Sequence, residues 1–255
     1  MIKKRLIGVV TVRNGIAVQS FGYRRWLPLG RPEVLVENLD RWGADEILLQ
    51  CTDRGGQGPD YALLDRVSRL GLSTPLIYAG GVSTAEHAVS VVKTGADRVC
   101  IDSLLHDNPD AVAALAEPLG AQALVASMPV SMENRQLCWL DFRKGSLKPL
   151  APAVIDILQR KVISEVMVID WRHEGYPTAF DETLLRSFSL AGVPRIAFGG
   201  ISTPEQIRSL LSMPDVVAVA IGNFLNYREH AIQLLKTALG GSTLRTAHYR
   251  AGSTD

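Results

Sequence analysis

The chain has 255 residues, 47% apolar and 21% charged, with 27 basic against 26 acidic side chains and a formal charge of +1. That balance gives no electrostatic case for nucleic acid or an acidic membrane surface as partner, while the apolar fraction suits a large soluble core. Three cysteines (Cys51, Cys100 and Cys138) are odd in number and lack metal-type spacing, which fits reduced thiols better than a disulfide framework.

From the N-terminus, Met1-Ile2-Lys3-Lys4-Arg5 leads into an apolar run too short for a signal-peptide core, and no later run reaches membrane-spanning length. A cytoplasmic location is expected. Short Val/Ile/Leu/Ala runs at 6–12, 46–51, 75–79, 98–101, 123–128, 165–169, 195–198 and 216–221 read as strands buried on both faces. Helical patterns alternate with them at 32–42, 61–70, 84–94, 110–119, 152–160, 181–190, 203–211 and 227–239. Ser83 and Ser202, each followed three residues later by a glutamate, predict N-caps of the capping-box type. Gly43, Gly71, Gly95, Gly120 and Gly192 stand where helices should stop. Two regions break the alternation. Residues 132–150 read as a small hairpin after the fifth strand, and 240–255 as a polar, loosely held tail.

One stretch occurs twice. Pro75-Leu76-Ile77-Tyr78-Ala79-Gly80-Gly81-Val82-Ser83-Thr84 is matched by Pro194-Arg195-Ile196-Ala197-Phe198-Gly199-Gly200-Ile201-Ser202-Thr203, 119 residues later. The same offset maps Glu46 onto Glu165, Gly56 onto Gly175 and Ser103 onto Gly222. A fixed long offset means one half-domain used twice. Eight strand-helix units with a halfway repeat predict a single (β/α)8 TIM barrel over 1–239, with half-barrels at about 1–120 and 121–239.

In such a barrel the loops after the strands' C-terminal ends build the active face. The Gly80-Gly81 and Gly199-Gly200 pairs fall there, with Asp102-Ser103 and Gly222-Asn223 ending the next strands. Glycine pairs beside helix starts admit a close-approaching anion, so two phosphate sites across one mouth are expected. The alternative is that strand-to-helix turns need glycine anyway. Asp53, Asp102, Asp170 and Glu174 also lie at or after strand ends, and His173, beside Glu174, is either a base or a solvated loop residue. Cys51 is either packing or a nucleophile. Trp171 and Tyr176 flank the same loop. Neither a metal nor a cofactor is expected.

The segments Lys4-Arg5-Leu6-Ile7, Arg13-Asn14-Gly15, Gly43-Ala44-Asp45-Glu46, Ala79-Gly80-Gly81, Gly95-Ala96-Asp97-Arg98-Val99 and Asn108-Pro109 resemble the HisA/HisF family of histidine biosynthesis. The likeness covers about 1–239 and is to the HisF branch, the cyclase subunit of imidazole glycerol phosphate synthase. Val10-Thr11-Val12-Arg13-Asn14-Gly15 and Asp107-Asn108-Pro109 are especially similar to HisF-like paralogues found with glycan amidation genes. The resemblance implies a bis-phosphorylated ligand held by Gly80, Gly81 and Ser103 on one side and Gly175, Gly200 and Gly222 on the other. It also implies a HisH-like glutaminase on the N-terminal face, with ammonia passing through the barrel behind a gate at Arg5, Glu46, Arg98 and Glu165. The alternative for those four is a set of salt bridges closing the barrel bottom.

The family's two acid–base aspartates fall here on Thr11 and Pro129, neither of which exchanges a proton near neutral pH. Glu174 stands where an aspartate is usual, and Cys51 where the second strand usually ends in aspartate. A lyase/cyclase step is therefore one expectation. A paralogue delivering ammonia for sugar amidation, or serving as a scaffold, is the other. The isomerase branch needs the same two carboxylates.

Overall fold

Eight parallel strands close on themselves in the computed structural model, which describes residues 3–188, 190, 192–240 and 244. In chain order they are Arg5–Arg13, Glu46–Cys51, Leu76–Ala79, Arg98–Ile101, Leu124–Glu133, Glu165–Asp170, Arg195–Phe198 and Val216–Ile221. Each pairs in parallel with the next, and the eighth returns to the first with Leu6 opposite Val219. Side chains alternate across each strand, so one sequence lines two layers. Ile7 and Val9 join Leu48, Ile77, Cys100, Val125, Met167, Ile169, Ile196 and Phe198 in the lumen. Leu6, Val10 and Val12 face outward to the helices. The (β/α)8 expectation holds. No helix among the described residues is long and apolar enough to cross a membrane.

Local chemistry sets the helix starts. Proline occupies the first turn of Pro32–Arg41, Pro109–Leu119, Pro152–Gln159 and Pro204–Ser212, where its fixed φ is helical and no N–H is missed. The capping serines need correction. Thr84 and Thr203 hold the extended cap conformation and accept the N–H of His87 and Gln206 (3.2 and 3.3 Å). Ser83 and Ser202 lie one residue outside, and Ser202 Oγ accepts the Thr178 N–H instead (3.0 Å). The fourth helical pattern is preceded by a separate turn of helix at Ser103–Asp107, the pattern from 181 stops at Ser187, and the last helix starts at Ala231. Of the expected tail, Leu244 is buried in a parallel bridge with Lys4. Beyond Gly240 and Leu244 the tail lies outside the described residues.

Each half-barrel carries a β-hairpin over the mouth. Ile16–Phe21 and Arg25–Gly30 follow the first strand, and Gln136–Asp141 and Ser146–Pro149 follow the fifth. Both are entered through a turn with two positive φ angles, Asn14-Gly15 (51° and 72°) and Asn134-Arg135 (48° and 66°), the geometry that matches strand twist. The second hairpin meets the expectation for 132–150. The first is an addition. Their outer strands place Pro28 opposite Val18 and Pro149 opposite Cys138.

Candidate active site at the barrel mouth

At the strand starts, the four charges form a closed ring. Arg5 pairs with Glu46 (2.9 Å) and Glu165, and Arg98 pairs with Glu46 (3.1 Å) and Glu165 (2.8 Å). All four side chains are 7–13% exposed. Arg98 also donates to the Gln122 carbonyl (3.0 Å) and Ser164 Oγ (2.7 Å). Burial raises the Glu46 pKa, and the two guanidiniums pull it back.

At the opposite end, Thr11 and Pro129 continue the inward faces begun by Ile7-x-Val9 and Val125. Both residues expected to stand in place of the family's aspartates therefore look into the lumen mouth, and neither brings a carboxylate there. The inward group nearest in register to Thr11 is Gln50. Its amide shares hydrogen bonds of 3.2–3.3 Å with the hydroxyl of Tyr23, which drops from the first hairpin onto the lumen cluster. Neither Tyr23 nor Gln50 is among the sequence candidates. The signal available for Tyr23 is its position behind Gly22 in an Asn-Gly hairpin.

Two carboxylates stand at the mouth. Asp102, ending the fourth strand, accepts the indole N–H of Trp139 from the second hairpin (2.8 Å), and burial raises its pKa to about 7 against that hydrogen bond. Glu174 accepts from Ser20 Oγ (2.7 Å) and the Tyr23 N–H (3.3 Å), both on the first hairpin, and burial again raises it to about 7. A carboxyl with a pKa near 7 exchanges protons at neutral pH. Burial, followed by the charge of Glu174, keeps Tyr23 protonated.

Other candidates are placed elsewhere. Asp170 continues the outward face of Val166 and Val168, accepts the Asp181 N–H (2.8 Å) and holds His173 Nδ1 (2.7 Å), so the His173 ring is turned toward the helix layer. Asp53 accepts the Asn14 N–H at the first hairpin's turn. Cys51 is packed in the outer layer with its thiol pushed up by burial to about 12, which is the packing alternative.

The glycine turns end the third and seventh strands, across the mouth from each other. Their side-chain faces are already occupied. A Cβ would lie 2.3 Å from the Cys51 oxygen at Gly80, 2.4 Å from Gly58 at Gly81, 2.5 Å from the Asp170 oxygen at Gly199 and 2.8 Å from the Phe180 nitrogen at Gly200. The alternative that these turns need glycine for packing is thus satisfied, whatever else they bind. Gly175, with a Cβ position 1.9 Å from the Ser20 oxygen, is pressed under the first hairpin. Asn223 clamps the same residue, accepting the Ser20 N–H (3.1 Å) and donating to its carbonyl (2.6 Å). A cavity of about 300 Å³ opens among Glu174, Gly175, Gly199, Gly200, Gly222 and Asn223. On the other side Ser103 Oγ donates to the Val82 carbonyl (3.3 Å). Among the described residues, no group of three or more His, Cys, Asp or Glu is placed to hold a metal ion.

The sequence profile of the histidine biosynthesis protein family (His_biosynth) matches residues 29–106 and 72–231. The chain is 28% identical over 246 residues to imidazole glycerol phosphate synthase subunit HisF of Symbiobacterium thermophilum, covering 93% of this chain and 96% of that one. It is 26% identical over 245 residues to subunit HisF of Staphylococcus carnosus (94% and 96% covered). A Vibrio vulnificus protein provisionally named imidazole glycerol phosphate synthase subunit hisF2 is 27% identical over 251 residues (96% and 91%).

Proposed function

Because the chain belongs to the histidine biosynthesis protein family, we propose that it works as a HisF-type barrel subunit that takes ammonia from a HisH-like glutaminase at the N-terminal face and meets a phosphorylated small molecule at the mouth. The carrying observation is a barrel with a closed ring of four charges at one end and, at the other, a glycine-edged cavity lined by Glu174, with Asp102 at the end of the fourth strand, both carboxyls having a pKa raised to about 7. The cavity beside Gly175, Gly199, Gly200, Gly222 and Asn223 takes one phosphate, and Gly80, Gly81 and Ser103 edge the seat for the other. Proton transfer falls to Asp102 and Glu174, since Thr11 offers only a hydroxyl and Pro129 offers nothing. Each positioned acid or base contributes about 10²- to 10⁴-fold, so a lyase/cyclase step needs both.

A second reading follows from Thr11 and Pro129 themselves: a subunit that delivers ammonia to another enzyme, as in amidation of a surface sugar. Expression in a histidine auxotroph lacking its own HisF separates the two. Growth without histidine supports the cyclase. No growth, with retention of a co-expressed HisH-type glutaminase, supports delivery. Failure of both rescue and retention refutes the proposal.

A further inference from the structure

One side chain of the first hairpin reaches from the mouth down onto the lumen cluster. Tyr23 sits in the Gly22-Tyr23-Arg24 turn of the first hairpin, with its ring against the lumen cluster that contains Cys100. Below, its hydroxyl is tied to Gln50 (3.2–3.3 Å). Above, its ring meets Phe142 of the opposite hairpin edge-on, with centroids 5.2 Å apart. Its own N–H donates to the Glu174 carboxylate, while the Gly22 N–H donates to the Glu174 carbonyl (2.8 Å).

The two hairpins are anchored on opposite rims, the first by Glu174 and Asn223 and the second by Asp102 through Trp139 and by Asp107 through Arg143 (3.0 Å). They therefore meet over the axis, and Tyr23 is the part that reaches down. Tyr23 itself has a positive φ of 54°, a conformation uncommon for a bulky residue and one that aims this side chain out of the hairpin plane.

We propose that Tyr23 is the exit stopper of the lumen, a positioning residue that keeps the lumen from the mouth cavity until the first hairpin lifts. The inference deepens the conduit reading: ammonia crossing the barrel would be released only when this hairpin moves, so delivery would be coupled to whatever parts the hairpins. The polar groups exposed by that movement are the Tyr23 hydroxyl and the Gln50 amide, which can accept and pass an N–H hydrogen bond without exchanging a proton.

Cys100 provides a readout independent of ammonia, ligand or partner. Its thiol lies in the lumen, 3% exposed, within electrostatic reach of the Tyr23 hydroxyl, whereas Cys51 is buried in the outer layer. Intact protein and the Tyr23→Ala variant are treated with methyl methanethiosulfonate at mildly alkaline pH, and the modified thiols are assigned by peptide mass. In Tyr23→Ala, Cys100 is expected to react at least about tenfold faster while Cys51 keeps its rate, because removing the ring admits reagent and water together and eases the burial that pushes the Cys100 thiol up to about 12. Phe142→Ala, which loosens the contact above without touching the lumen, is expected to give a smaller rise at Cys100. A Cys100 rate in Tyr23→Ala within about twofold of the unaltered protein overturns the proposal, as does a parallel rise at Cys51, the mark of global opening. Loss of glutaminase binding would refute the conduit and leave the stopper standing.

Discussion

Replacing Arg98 with Met tests whether the four-charge ring holds the barrel bottom together. The substitution removes two ion pairs and the bonds to the Gln122 carbonyl and Ser164 Oγ. Glu46 and Glu165 are left with Arg5 alone between them. Removing one partner from a buried pair costs about 3–5 kcal/mol, because the charge left behind is not rehydrated. For a chain of this size that is a fall of roughly 6–20 °C in Tm. The pH dependence has a fixed sign. The Glu46 carboxyl is raised by burial and restrained by Arg5 and Arg98, so losing Arg98 raises it further. The folded variant then binds a proton more readily than its unfolded chain, and its stability falls more steeply with rising pH than that of the intact protein. Urea unfolding at pH 5 and pH 7 should show the gap between the two proteins narrowing toward pH 5. A gap under about 1 kcal/mol at pH 7, the range of exposed pairs, would refute the reasoning. So would a gap that widens on acidification.

Glu174→Gln keeps an acceptor for Ser20 Oγ and removes the charge. The folded pKa of Glu174, about 7, lies above the ordinary carboxylate value, so its neutral form stabilises fully below the unfolded pKa and that contribution is lost as pH rises through about 7. The variant should show a flatter stability profile from pH 5 to 8, and a slope as steep as that of the intact protein would count against it. Asp102 should reveal its ionisation through the hydrogen-bonded Trp139 indole N–H, whose NMR resonance is expected to shift with a midpoint near 7 and to stop titrating in Asp102→Asn. Gly175→Ala drives a methyl into the Ser20 carbonyl at φ 82°, costing roughly 2–5 kcal/mol, whereas Gly15→Ala, at φ 72° with nothing within 4 Å, should cost about 1–2 kcal/mol by denaturant midpoint.

The barrel was legible where burial is two-sided. Arg195–Phe198 and Val216–Ile221 are apolar throughout or nearly so, and their ends coincide with the expected 195–198 and 216–221. The first hairpin is harder to read. Asn14-Gly15 is a strong turn signal, but the strand that returns, Arg25–Gly30, is exposed at every residue except Trp26 and contains Pro28. Tyr23 then goes unnoticed, because its contact with Glu174 joins positions 151 residues apart. Neighbouring Ser-Thr pairs offer two acceptable caps, and only backbone angles choose between Ser83 and Thr84. The orientation of His173 likewise depends on which face Asp170 takes, a matter of strand parity that the Asp-Trp-Arg-His order does not reveal.

Pro28 and Pro149 occupy equivalent places on the outer strands of the two hairpins, the only sides of this sheet left without a neighbouring strand among the described residues. A barrel has no border, but a pair of flaps grown from it reintroduces two, each able to recruit a foreign strand. Proline at each withholds the amide hydrogen such a strand would need. The covers over this mouth are thus kept from sticking to other molecules by an imino acid inherited or acquired in both halves.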